Sequence, residues 1–359
     1  MKIGVMNSSN TKLRGGPKVF MDRITEELKK QGLYSDDKFD AWLNLSFREI
    51  PKFVIDNKIP VTLRFDGIWK IKVIPDRFKF ISKFLRKKLN EYAFQKFNKL
   101  ILHNYYIADN IIFQSQFSKK SFETTLLRKP IDKKHTIIYN GVDLERFKPS
   151  SQKINSNLQI LVSHKMHPVK RFDQIPKIIK ELVKKYPNLM VNVLGDGIKN
   201  PYRLNENTLD YFKKQVSLHG LDNNFNFIGH IEPNLLADFY VQNDFMLNLS
   251  YSDPCPNVVI EAMACGLPVI APIHGGIAEL VSDERLLVKE NLNEYDFDTM
   301  GDYKSLPQIP VEKYLEKIYY LLENLEFHQK NMRKRAEQYF DIKNVTKQYI
   351  NFMKENMKK

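Results

Sequence analysis

What most limits the folds open to this chain is a rhythm: short apolar runs, each followed by a loop and then by a stretch of helical spacing. Lys2 to Met6 (KIGVM) has strand length, and Pro17 opens a segment in which Phe20, Ile24 and Leu28 recur every fourth residue, as on one helix face. Ile59 to Phe65, Asn110 to Phe113 and His135 to Tyr139 repeat the strand pattern with helical stretches between them. Apolar strands alternating with helices predict a parallel sheet joined by crossover helices.

The rhythm breaks once. PSSQKINSN, from Pro149, is polar and turn-rich, and a fresh apolar run starts at Leu158 (LQILVS). Phe172 to Tyr186 then has helical spacing, and Met190 to Leu194 is a strand ending in Gly195-Asp196-Gly197. Phe225 to Ile228, Phe245 to Leu249 and Pro268 to Ala271 continue the series. The pattern predicts two α/β domains of doubly wound type, residues 1–150 and 151–339, each with its loops at the carboxyl ends of its strands, where such sheets bind ligands. From about Val311 the chain reads as helical, and Ile342, Val345, Tyr349 and Phe352 give the last helix an apolar stripe.

Two domains also suit a length of 359 residues, which exceeds one ordinary core. No apolar run reaches membrane-span length, and the start lacks the features of a signal peptide, so a cytoplasmic location is expected. Cys255 and Cys265 stand in no C-x-x-C or Cys/His cluster, which argues for core thiols and against zinc. An excess of 56 Lys and Arg over 42 Asp and Glu, net +14, favours an anionic partner: nucleic acid, an acidic membrane surface or a phosphorylated ligand. A Lys-rich, Asn-rich background from an AT-rich genome gives the same excess.

The segment Ser252 to Gly276, SDPCPNVVIEAMACGLPVIAPIHGG, concentrates the chemistry. Asp253 precedes Glu261 by eight residues. Pro254 and Pro256 hold off helix until Asn257, which is placed to cap a helix that runs through Ala264 and ends at Gly266. Asp253 then belongs to the loop feeding the positive helix end, and Glu261 lies just over one turn in. The first amides of that helix offer a phosphate site. A ligand with a diphosphate at the helix start and hydroxyls on either side suits the layout; two solvated acids are the plainer reading of the same spacing.

The same segment resembles the donor-site signature of retaining GT-B glycosyltransferases of the GT4 family, E-x7-E followed by A-M-A-x-G-x-P-V-I-A and a Gly-Gly turn. Arg14-Gly15-Gly16, ADNIIFQSQFSKK, the hinge-like IIYNGVDLERFKP, VLGDG and FIGHI resemble further family segments, in the family's order. The resemblance implies two Rossmann-like domains facing across a cleft. Residues 1–150 would form the acceptor side and 151–339 the nucleotide-sugar side, with a C-terminal helix, about 340–359, packing back on the N-terminal domain.

Roles follow from the resemblance residue by residue. Glu261 is implied to bond the nucleotide ribose, and Asp253, where the family usually has Glu, to meet hydroxyls of the transferred sugar. The amides of Asn257, Val258 and Val259 would face the diphosphate. Of the two cations expected near it, Lys170 matches the second, while spacing points to His164 and charge to Lys165 for the first. His230 and Ile231 match positions whose backbone holds the base. Gly15 and Gly16 let backbone approach the leaving group or the acceptor, and they do not form a nicotinamide-binding G-x-G-x-x-G. Arg64 and Asp66, on the strand-end loop facing the cleft, are candidates to orient the acceptor and accept its proton, with a buried ion pair as the alternative. No cofactor and no structural divalent metal are implied.

The expected activity is transfer of a sugar, with retention, from a UDP- or GDP-sugar to a hydroxyl of a glycan, lipid-linked or small-molecule acceptor, in cell-surface polysaccharide or glycoconjugate synthesis. Asp76 to Leu100 mixes Phe with Lys and Arg, as either a core-facing helix or one lying on an anionic membrane would. A sugar-nucleotide epimerase is the enzymatic alternative. A basic nucleic-acid-binding protein is the other, and no zinc-finger, RRM-like or helix-turn-helix pattern supports it; nucleic acid is not an expected partner.

Overall fold

The structure is a computed structural model and describes residues 1–6, 15–67, 98–150, 156–198, 206–290 and 306–357. Arg14 and nearly all of the Asp76 to Leu100 stretch lie outside the described residues.

The first sheet has five parallel strands in the order β1-β2-β3-β4-β5: β1 Ile3–Val5, β2 Ala41–Leu45, β3 Val61–Phe65, β4 Asn110–Phe113 and β5 His135–Ile137. Helix α1 (Gly16–Lys30), with proline in its first turn, buries Phe20, Met21, Ile24 and Leu28, the face its spacing predicts. Helices α2 (Lys52–Asp56), α3 (98–107) and α4 (Gln116–Phe122) follow. Strand β2 is not evident from sequence because Asn44 interrupts its apolar run. That side chain is fully buried, accepting from Trp42 Nε1 (3.0 Å) and donating to the carbonyls of Leu45 and Arg48 (2.9 and 2.8 Å).

The second sheet is also parallel, in the order β11-β10-β9-β6-β7-β8. Its strands are β6 Gln159–Ser163, β7 Met190–Leu194, β8 Phe225–Gly229, β9 Phe245–Leu247, β10 Val269–Pro272 and β11 Leu287–Val288. Around it stand α5 (Ile175–Leu182), α6 (Thr208–Leu218), α7 (Leu236–Tyr240), α8 (Asn257–Ala264), α9 (Gly276–Val281), α10 (Val311–Glu323) and α11 (Leu325–Tyr339). The helical spacing from Phe172 to Tyr186 is realised as a 3₁₀ turn, Phe172–Gln174, followed by α5. The helix stops at Leu182, ahead of Pro187, which disfavours helix in the residue before it. Strand order reverses between β6 and β9, so the loops leaving these two neighbours part and open a crevice at their carboxyl ends.

Each sheet has its own hydrophobic core, but the chain does not divide at one point. Helix α12 (Ile342–Met357) places Val345, Tyr349, Ile350, Phe352 and Met353 in the core of the first sheet, with the Tyr349 ring 5.6 Å from that of Phe20. The outgoing and returning crossings are joined to each other: Val142 N donates to Phe340 O (2.7 Å) and Ile342 N to Val142 O (3.0 Å). Gly141 lies where they touch, and a Cβ there would stand 2.8 Å from Ile342 Cα, so no larger residue fits without displacing backbone. Among the described residues no helix is long and apolar enough to cross a membrane.

Candidate functional site

The crevice beside β6 and β9 is where the sequence-selected residues converge. After β6 the chain passes through His164 and Lys165 into a 3₁₀ turn, Pro168–Lys170; after β9 it runs through Asp253 into α8. Lys170 Nζ is ion-paired with Asp253 Oδ2, joining the two loops at the crevice mouth, and the side chains are 15% and 17% exposed. Glu261, on α8, is buried and accepts from Tyr240 OH (3.1 Å), which in turn meets Ser163 Oγ (3.3 Å) at the end of β6.

The first turn of α8 corrects the sequence reading in two respects. Pro256, not Asn257, is the N-cap residue, and no side chain caps the helix. Asn257 is drawn instead to the facing domain: its Nδ2 donates to Gly16 O (3.1 Å) and its Oδ1 accepts from Asn140 Nδ2 (2.8 Å). Tertiary partners outcompete the local cap. The amide of Val259 bonds Pro256 O (3.1 Å), so it is engaged within the turn, and the amides of Asn257 and Val258 are the ones left for an anion at this helix end among the described residues.

Asn140 also accepts from Arg64 Nη2 (2.7 Å) and donates to Cys255 O (3.0 Å). Arg64 Nη1 lies 2.8 Å from Asp66 Oδ1, and both side chains are at most 2% exposed. Gln114 Nε2 donates to the same oxygen (3.1 Å). Arg64 and Asp66 thus form a closed pair, joined through Asn140 to Asn257 and Gly16, and in this arrangement they present no side-chain surface to solvent. Burial pushes the Asp66 carboxyl up to about 6, although Arg64 pulls the other way.

The two candidates for the first cation separate cleanly. His164 is buried, neither ring nitrogen has a hydrogen-bond partner among the described residues, and burial followed by repulsion from Lys170 lowers it to about 3. It is neutral at physiological pH and supplies no charge. Lys165 is exposed. His230 and Ile231 stand at the carboxyl end of β8, the edge strand, with His230 exposed and Ile231 packed on the core. Gly15 is the N-cap of α1 and Gly16 its first residue.

Several residues of the site carried no sequence signal. Arg171, in the left-handed region (φ 52°) and fully buried, grips Glu290 with both terminal nitrogens (2.9 and 2.8 Å) and donates from Nε to Leu249 O (2.7 Å). Tyr314 OH (2.7 Å) and His274 Nε2 (3.1 Å) also meet Glu290. One carboxylate thereby ties the loop of Lys170, the strand end leading to Asp253 and the turn before Gly275-Gly276. Burial alone would raise the Glu290 carboxyl, but bonds from His274 and Arg171 hold it down at about 2. Gly276 must be glycine, because a Cβ there would lie 1.8 Å from Pro254 O. Across the cleft, Glu279 of α9 accepts from the amides of Gln116 and Phe117 at the start of α4 (2.7 Å each), and a cavity of about 610 Å³ opens beside this contact, lined in part by Lys119, Lys120 and His274. Among the described residues no three His, Cys, Asp or Glu side chains gather as a metal-ligating set.

With this geometry in view, residues 143–298 match the family model described as glycosyl transferases group 1, a span that holds Lys170, Asp253, Glu261 and Glu290. That stretch of the chain is similar to a glycosyl transferases group 1 domain. The chain is similar to a subunit of the phosphatidylinositol N-acetylglucosaminyltransferase of Homo sapiens, 28% identical over 194 residues, which is 54% of this chain and 38% of the relative. It is also similar to D-inositol 3-phosphate glycosyltransferase 2 of Catenulispora acidiphila, 29% identical over 161 residues, 40% of this chain and 36% of the relative. The matches therefore span well under half the length of these curated relatives. In fold, the two domains together resemble sucrose-phosphate synthase from Thermosynechococcus elongatus (TM-score 0.66, 15% identity, 99% of this chain and 98% of that one). They likewise resemble Anabaena Alr3699/HepE in complex with UDP (TM-score 0.65, 17% identity, 99% and 100%). The two-domain architecture is the GT-B fold.

Proposed function

We propose that the chain is a retaining glycosyltransferase of GT4 type that takes a UDP- or GDP-sugar as donor and a hydroxyl of a glycan, lipid-linked or small-molecule acceptor, in glycoconjugate synthesis. The observation that carries the reading is the placement of Asp253, Lys170 and Glu261 at one crevice, around a helix start with two spare amides. A nucleoside diphosphate sugar needs this set: an acid for the ribose hydroxyls, an acid for the sugar hydroxyls, and a cation with helix amides for the diphosphate between them. UDP in the HepE structure agrees with a uridine donor. The relatives named for phosphatidylinositol and inositol phosphate agree with a polyol or lipid-linked acceptor.

In the proposed reaction the donor diphosphate takes Lys170 from Asp253, and the freed carboxylate accepts hydroxyls of the sugar. As the anomeric C–O bond breaks, charge gathers on the leaving diphosphate, where Lys170 and the amides of Asn257 and Val258 stabilise it. The acceptor hydroxyl attacks from the same face and passes its proton to the leaving phosphate oxygen. The Arg64–Asp66 pair holds Asn140, and through it the start of α8, against the N-terminal domain. His164, buried and neutral, adds no charge there.

The test is a thermal-shift screen over UDP-, GDP- and ADP-sugars, since a ligand bound only by the folded state raises its stability. One donor should stabilise the wild-type chain and not Glu261→Ala. No stabilisation by any donor, with Glu261→Ala indistinguishable from wild type, would overturn the proposal.

A further inference from the structure

Glu261 is held by a residue of the opposite domain. Arg23 projects from α1 and places Nη2 2.5 Å from Glu261 Oε1, while its Nη1 donates to Gly141 O (3.1 Å), on the outgoing crossing. Its guanidinium also lies over the Phe147 ring, 5.7 Å from the centroid. The Arg23 and Glu261 side chains are 15% and 6% exposed, so the contact is largely withdrawn from water and little screened. Tyr240 occupies the other oxygen of Glu261 (3.1 Å).

We infer that Arg23 is a positioning residue for ribose recognition: it fixes the rotamer of Glu261 and makes that rotamer depend on the closed arrangement of the two domains. The inference rests on the donor-site reading above. A carboxylate has about four acceptor positions. Arg23 takes one and Tyr240 another, each on a different oxygen, which leaves one on each oxygen for the two neighbouring hydroxyls of a ribose. Both oxygens are thereby offered side by side in a single geometry, and little side-chain entropy remains to be lost when the diol arrives. The residue type matters as well. The planar fork of Arg serves a carbonyl and a carboxylate at once, whereas the point charge of Lys serves one direction at a time. Because the carbonyl belongs to Gly141, any hinge motion that separates α1 from the crossing removes the guanidinium from Glu261.

The experiment compares affinity for UDP with affinity for 2′,3′-dideoxy-UDP, in the wild-type chain and in Arg23→Gln, Arg23→Lys and Glu261→Gln. Wild type should prefer UDP, and Arg23→Gln should lose about tenfold of that preference, the weight of one charge-oriented hydrogen bond, while its affinity for the dideoxy nucleotide stays near wild type. Arg23→Lys should recover only part of the preference, and Arg23→Gln combined with Glu261→Gln should lose no more than Glu261→Gln alone. A merely structural Arg23 would weaken both nucleotides equally, and that outcome, or an unchanged preference, overturns the inference. Should Arg23→Gln fail to fold, Arg23→Lys carries the same comparison. If wild type shows no preference and Glu261→Gln changes nothing, the donor-site reading itself falls, and the inference with it.

Discussion

Asn140 and Asn257 meet side chain to side chain across the domain boundary, 2.8 Å from Nδ2 to Oδ1; Asn140 is held by Arg64 of its own domain, and Asn257 donates onward to Gly16 O of the facing one. The start of α8 is therefore fixed in register with α1 and with the end of β3 by neutral amides, which neither repel a diphosphate nor compete for one. Replacing either by Ala should cost about 1–3 kcal/mol, because buried partners are left unsatisfied. The double variant should cost clearly less than the sum. Urea denaturation of the three variants checks both statements.

Glu290 is the hub on which three loops of the site depend. Glu290→Ala leaves the fully buried Arg171 guanidinium without its carboxylate, and loss of one partner from such a pair costs about 3–5 kcal/mol. At temperatures where the variant remains folded, donor KM should rise as well, since Arg171 adjoins Lys170. Denaturation and steady-state kinetics read these effects separately.

Stability should depend on pH through two buried groups acting in opposite directions. Asp66 is raised from 3.8 to about 6 in the folded chain, so its contribution is fully present below about pH 4 and is lost as pH rises through 6. Relative to Asp66→Asn, the wild-type chain should lose about 3 kcal/mol across that window. His164 is lowered from 6.5 to about 3, so its contribution is present above pH 6.5 and is lost as pH falls toward 3. Denaturation curves of wild type, Asp66→Asn and His164→Gln between pH 3 and 8 separate the two. A wild-type curve parallel to Asp66→Asn from pH 4 to 6 would remove the first assignment.

Lys170 changes partner in the proposed reaction, so its loss should fall on the chemical step. Lys170→Ala should lower kcat/KM by about a hundredfold or more, the scale set by one preorganised group on a leaving charge. Thermal stability should fall as well, because Asp253, only 17% exposed, loses its charge partner. Asp253→Asn should instead alter the ranking of donor sugars at a fixed base, measured with a panel of UDP-sugars.

Much of the fold was legible because strand and helix periods are local. Asn110–Phe113 and Met190–Leu194 are strands over the very residues read as such, and the apolar face of α1 follows from Phe20, Ile24 and Leu28. Strand β2 escaped because Asn44 is polar yet satisfied by its neighbours, and β11 because two residues carry no period. In the site, Asp253, Glu261 and Lys170 were visible through the resemblance of their segments to the GT4 donor site. Asn257 was read as a cap because capping is a local rule, and its partners lie in the other domain. Arg23 gave no signal at all: on the polar side of an amphipathic helix it resembles any solvated cation, and its carboxylate is 238 residues away.

The placement of α12 has a consequence for biosynthesis. The core of the first sheet needs Val345, Tyr349 and Met353, so the domain whose strands are made first is the one completed last. Among the described residues the second sheet has its strands by Val288 and its helices by Tyr339, and it can close while the earlier domain still exposes the groove that receives α12. A nascent chain of this protein therefore finishes its domains in the reverse of the order in which it starts them. The groove left open in the meantime is lined by Phe20, whose ring meets Tyr349 once α12 docks.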